Sequence, residues 1–97
     1  MKDKLRPILY IKPGCPWCRE AMAFFSQHGV EVNVRDVHAN KQNMQRMIEV
    51  SGQSLTPTLE FGEFIVADFS VDELISELEQ VPEIKRDLGF GDTEDWN

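Results

Sequence analysis

The sequence predicts an α/β fold: a four-stranded mixed sheet, in the order β-α-β-α-β-β-α, flanked by helices and followed by a short C-terminal helix. Three observations carry this reading. Short apolar, β-branched runs alternate with helix-period segments through the first half of the chain, and that alternation demands crossovers and parallel pairing. Two further apolar runs are separated only by Gly62-Glu63, a connection short enough for nothing but a hairpin. After the hairpin, Ser70 and Glu73 form the S-x-x-E pattern of a helix capping box.

The first run, Pro7-Ile8-Leu9-Tyr10-Ile11, has no polar alternation and reads as a strand buried on both faces. Lys12-Pro13-Gly14 breaks it. From Cys15 onward Cys18, Ala21, Met22 and Phe25 recur at helical spacing, and Gly29 is placed to stop the helix. Val30, Val32 and Val34 then alternate with polar residues, which predicts a second strand with one buried face. Asn40 is a good N-cap for a second helix carrying Met44, Met47, Ile48 and Ser51 on one side and ending at Gly52. Residues 58–61 and 64–67 form the hairpin. Val71, Leu74, Ile75 and Leu78 give the next helix its apolar face, and Pro82 to Gly89 marks a last short helix.

Ninety-seven residues suit one domain, assigned to residues 1–90, with 91–97 expected to be an acidic mobile tail. The net charge of −7 is uneven: residues 1–50 hold eight Lys/Arg and five Asp/Glu, residues 51–97 two and twelve. Such a surface argues against nucleic acid, whose binding depends on neutralising phosphates. It serves solubility, or docking of a basic partner. No run of eighteen apolar residues and no leader-like segment is present, so the expectation is a cytoplasmic protein that does not engage membranes.

The two cysteines stand in Cys15-Pro16-Trp17-Cys18, at the junction between the first strand and its helix. A zinc site needs four ligands, and neither a second cysteine pair nor suitably spaced histidines exist, since His28 and His38 lie ten apart; no metal is expected. A bridge over two residues closes too small a loop to stabilise much by constraining the unfolded chain. In a reducing compartment the pair is better read as a redox centre. The helix beginning at Cys15 turns free N–H groups and its positive dipole end toward the sulfur, which favours thiolate.

Taken together, Tyr10-Ile11-Lys12-Pro13-Gly14-Cys15-Pro16-Trp17-Cys18 and Ser51-Gly52-Gln53-Ser54-Leu55-Thr56-Pro57-Thr58 resemble the glutaredoxins, over residues 7 to about 80. The resemblance implies a thioredoxin-like fold and a thiol-disulfide oxidoreductase that reduces protein or glutathione-mixed disulfides. By position it implies Cys15 as nucleophile, Cys18 as resolving thiol, and Pro57 in cis with the Thr56 backbone beside the cysteines. It further implies Lys12 against the glycyl carboxylate of glutathione and Trp17 as a substrate contact. Glutathione enters as co-substrate, with no bound cofactor, and the chain is expected to be a monomer.

The departures lie where glutathione specificity should be written. Many glutaredoxins carry Gly-Gly followed by Cys or Ser and then Asp after the last strand, whereas this chain reads Ala67-Asp68-Phe69-Ser70. Asp68, if exposed, opposes a carboxylate, although N–H groups near Ser70 offer one a helix start. Phe69 resembles instead the small-residue-then-Phe turn of glutaredoxin-like redoxins recharged by thioredoxin reductase and serving ribonucleotide reductase. Phe69 and Ser70 are therefore retained as candidate substrate contacts. A further alternative is a relative that holds an iron–sulfur cluster between two subunits, which Pro16 disfavours.

Overall fold

Leu9 and Tyr10 are adjacent and both fully buried. Because successive side chains of a strand point to opposite faces, the strand that carries them must be covered on both sides. The computed structural model, which describes residues 6–90, shows how. Strand β1 (Ile8–Ile11) pairs in parallel with β2 (Asn33–Asp36) and antiparallel with β3 (Thr58–Phe61), which pairs antiparallel with β4 (Phe64–Ala67). The sheet order is β2-β1-β3-β4. Helices α1 (Pro16–Gln27), α2 (Lys41–Ser51), α3 (Val71–Glu79) and α4 (Pro82–Leu88) cover it.

The two faces build different cores. Leu9 and Leu59, paired across β1 and β3, join Ala21, Phe25, Phe69, Leu74 and Leu78 in the larger apolar cluster. Tyr10 lies on the other face with Val37 of the segment after β2 and Met47 of α2. Its register partner on β3 is Thr58, and Glu60 occupies the next position on that same face. The Tyr10 hydroxyl donates to Glu60 Oε1 at 2.6 Å, and Arg46 Nη2 of α2 donates to Oε2 at 2.8 Å. Both oxygens of a carboxylate that is only 7% exposed are thereby bonded, which burial requires. Burial, then the hydrogen bond and charge of Glu60, pushes the Tyr10 phenol up to about 12.

The predicted elements are present, with three shifts. Val30 belongs to the end of α1, not to a strand. Gly29 turns left-handed at φ +70°, and the N–H groups of Gly29 and Val30 return to the carbonyls of Ser26 and Phe25, the double bond pattern of a Schellman stop. The strand therefore begins at Asn33, and Val34 is exposed at the sheet edge instead of facing the core. On α2 only Met47 is fully buried, and Ile48 is exposed because this helix covers a narrow strip of sheet. On α1 Phe24 is buried as well, its ring against His28 and Phe90. The capping box at Ser70 and the stop at Gly89 stand as read. The expected tail, 91–97, lies outside the described residues.

Tyr10 is the only tyrosine of the chain, so its ionisation is directly visible as phenolate absorbance. Its folded pKa lies above the unfolded value near 10. The stability linked to it is therefore intact below about pH 10 and lost as pH rises toward about 12. Glu60→Gln should move the phenolate midpoint of the folded protein downward, and Tyr10→Phe should flatten the fall in stability between those pH values. An unmoved midpoint in the Glu60 variant would refute the coupling.

Candidate active site

The turn after β1 is built to present a sulfur atom. Gly14 takes a left-handed φ of +73° and turns the chain, and Cys15 follows in extended conformation as the N-cap of α1. Pro16 occupies the first helical position, where a missing N–H costs nothing. The N–H of Cys18 donates to Cys15 Sγ at 3.2 Å, so a sulfur takes the place usually held by the oxygen of a capping Ser or Asp. The first turn of α1 carries no acidic residue. Cys15 and Cys18 are joined as a disulfide, with Cα atoms 5.2 Å apart. Cys15 keeps 8% of its surface exposed and Cys18 only 1%.

The second wall is the loop between α2 and β3. Gln53 organises it: its Oε1 accepts from Leu55 N–H at 2.7 Å, while its Nε2 donates to Ser51 Oγ at 2.8 Å and Thr58 Oγ1 at 3.1 Å. Thr58 Oγ1 in turn donates to the Leu55 carbonyl at 2.9 Å. The Thr56-Pro57 peptide is cis. Thr56 reaches Cys15 twice: its hydroxyl donates to Sγ at 3.7 Å, and its carbonyl oxygen lies 3.9 Å away.

The third wall is the turn after β4. Phe69 N–H donates to the Pro57 carbonyl at 3.3 Å and ties this turn to the second wall. Asp68 is exposed and takes a positive φ of 53°, the one non-glycine residue to do so among those described. Between the walls lies a cleft of about 430 Å³.

The cleft gathers Lys12, Cys15, Trp17 and Thr56, four of the residues singled out in the sequence. Pro57 and Cys18 sit behind it, both fully buried. Phe69 does not face the cleft: it is 1% exposed and belongs to the larger core, because the turn directs it beneath α3. Ser70 is the N-cap of α3, its hydroxyl accepting from Glu73 N–H and its own N–H donating to Glu73 Oε1. The other four lining residues, Gly14, Pro16, Leu55 and Asp68, are not singled out as contacts by the sequence. Leu55 is half exposed beside the likewise exposed Trp17, so the cleft has an apolar rim. The signal for Leu55 was its apolarity inside a loop.

The glutaredoxin family model matches residues 8–66, more than half of the chain. The chain belongs to the glutaredoxin family. Among solved structures it is similar to the glutaredoxin from Brucella melitensis, at 31% identity and TM-score 0.63 over 91% of this chain and 92% of that one. A thioredoxin-like protein crystallised as a mutant matches at 25% identity and TM-score 0.68, over 75% of this chain and 99% of that one. The buckwheat glutaredoxin–glutathione complex shares the fold at 14% identity and TM-score 0.65, over 87% and 76%. No curated protein matches the sequence. The four-stranded mixed sheet with its four helices is thus a thioredoxin-like fold, and the glutaredoxin cysteines stand at disulfide distance.

A hydroxyl that donates to Cys15 Sγ stabilises the thiolate once the bridge is reduced. Thr56→Val, which keeps the shape and removes the donor, should slow alkylation of Cys15 at mildly acidic pH by roughly two- to fivefold, the loss of one weak hydrogen bond. Iodoacetamide labelling across pH tests this. Equal rates at every pH would show that the contact has no role in thiolate formation.

Proposed function

We propose that this glutaredoxin reduces disulfides by a dithiol mechanism in which Cys15 attacks and Cys18 resolves. The observation that carries the assignment is the unequal placement of the two sulfurs. Cys15 is the helix cap with its exposed edge in the cleft, whereas Cys18 is closed off. The Cys15 thiolate attacks one sulfur of the substrate disulfide, forming a mixed disulfide and releasing the other sulfur as a thiolate. The Cys18 thiolate then attacks Cys15 Sγ and expels the second substrate thiol. Two electrons pass from the protein dithiol to the substrate, and the protein is left with the Cys15–Cys18 bridge. The substrates are protein disulfides or glutathione-mixed disulfides, met in the cytoplasm by a monomer.

Glutathione is proposed as the reductant that restores the dithiol, and Lys12 in the cleft supports it by offering a cation to a carboxylate. The buckwheat relative was solved in complex with glutathione. A second reading, recharging by thioredoxin reductase, is favoured by the turn after β4. There Phe69 fills the core and Asp68 lines the cleft, where a glutathione-binding turn carries glycines.

Cys15→Ser should bring disulfide reduction to the uncatalysed rate. Cys18→Ser should accumulate a covalent adduct of Cys15 with a protein substrate, visible by mass under non-reducing conditions. Full activity without Cys15 would refute the mechanism. Offering the oxidised protein glutathione, and separately thioredoxin reductase with NADPH, decides the donor: reduction by the reductase system alone would overturn the glutathione reading.

A further inference from the structure

The turn that follows β4 has already committed part of its capacity to hold an anion. Three N–H groups of that turn and of the first turn of α3 are already bonded: Phe69 to the Pro57 carbonyl at 3.3 Å, Ser70 to Glu73 Oε1 at 2.9 Å, and Glu73 to Ser70 Oγ at 3.2 Å. A carboxylate of the chain itself thus takes the Ser70 N–H, one of the donors that a ligand carboxylate could use at this helix start. The Asp68 side chain adds a second negative group, placed on the cleft wall, and Asp72 in the first turn of α3 a third. Asp68 holds a left-handed backbone that glycine adopts more easily, so the turn geometry leaves room for a smaller residue there.

The cation in the same cleft, Lys12, is on the opposite side. It follows β1 whereas Asp68 follows β4, with β3 between them, so the two walls are roughly 10 Å apart at the usual strand spacing. Thr56 and Cys15 lie between the two walls, and Leu55 and Trp17 provide an apolar rim.

Building on the dithiol reading above, we propose that Asp68 is a specificity residue that selects substrate polypeptides carrying a lysine or arginine next to the disulfide cysteine and rejects an anionic group at that position. A segment whose cysteine reaches Cys15 lies between the two walls, and the long side chain of a lysine or arginine beside that cysteine can reach the Asp68 wall. A basic flank meets the Asp68 carboxylate on the cleft wall, and an acidic one is repelled by it. The selection acts on the approach and seating of the substrate, since Asp68 makes no contact with either sulfur among the bonds of the site.

The test uses the full chain, reduced beforehand and freed of reductant, so that the identity of the electron donor has no influence. It is mixed with symmetric disulfides of short peptides in which one flank of the cysteine, before or after it, is Lys, Ser or Glu. At one flank the Lys peptide should react about fivefold faster than the Ser peptide and the Glu peptide slower, a spread that narrows as salt is raised. Asp68→Asn and Asp68→Gly, both compatible with a left-handed backbone, should each erase the preference, and Asp68→Lys should invert it. Equal rates for all three peptides at both flanks, or a preference that survives in the Asn and Gly variants, would overturn the proposal while leaving the dithiol mechanism standing. Failure to reduce any peptide would instead overturn the mechanism and this inference with it.

Discussion

The register of β1 against β3 is the constraint on which the rest of the molecule depends. Leu9 faces Leu59 and Tyr10 faces Thr58. A slip by one residue would carry the Tyr10 hydroxyl into the larger apolar core and bring Leu9 against the buried carboxylate of Glu60. Leaving one oxygen of that buried carboxylate without its donor costs about 1–3 kcal/mol, with nothing gained by a Leu that changes faces. The polar network under α2 therefore acts as a register pin, with Arg46 closing it from the helix. The same register delivers the chemistry. Two residues beyond the Tyr10–Thr58 pair in each strand's outward direction lie Lys12 and Thr56, and the turn bearing Cys15 leaves β1 at that end of the sheet.

Signals written in local spacing were legible in the sequence. The capping box at Ser70, the left-handed stops at Gly52 and Gly89 and the short hairpin at Gly62 each depend on residues within a turn of one another, and each is where the spacing placed it. What failed depends on neighbours distant in the chain. Val34 has the alternation of a core residue, yet β2 is an edge strand and the sheet ends beside it. Ile48 fits the periodicity of α2, but the helix meets too little sheet to bury it. Glu60 carries no local signal of its role, because it is the acceptor for a tyrosine fifty residues earlier in the chain. The site divides along the same line. Cys15 and Cys18 were legible from their own spacing and Thr56 and Pro57 from a family pattern. Asp68 had been read only as a group opposed to carboxylates, because its place on the cleft wall follows from the order of the strands.

Phe69 is an apolar plug beneath the last helix, and its packing shapes the turn that carries it. The chain needs a large apolar group at the end of β4 to seal the larger core beneath α3, and Phe69 supplies it at 1% exposure. Once it points inward, the backbone on either side is set: its N–H turns to the Pro57 carbonyl, and Asp68 before it is left on the outside in a left-handed conformation. A core requirement thus decides what the cleft displays. Ser70 follows the same logic, since the residue that ends this turn must start a helix, and the capping box that starts it takes the N–H groups of Ser70 and Glu73, two of the donors an anion could use.

Reactivity and selectivity consequently come from separate parts of the site. The donors that favour a thiolate at Cys15 are the Cys18 N–H inside α1 and the Thr56 hydroxyl on the opposing loop, both short-range and both held by buried structure. Lys12, Asp68, Trp17 and Leu55 form the rim and reach solvent, where the proposed selection of a substrate would act. Because interactions through solvent weaken with distance and salt, rim charges alter the sulfur far less than the two direct donors do. Exchanging a rim residue can therefore redirect the protein toward another disulfide while the thiol chemistry at α1 stays as it is. That separation would let a single fold supply one reaction to different partners, with the turn after β4, on the proposal above, the place where the choice is made.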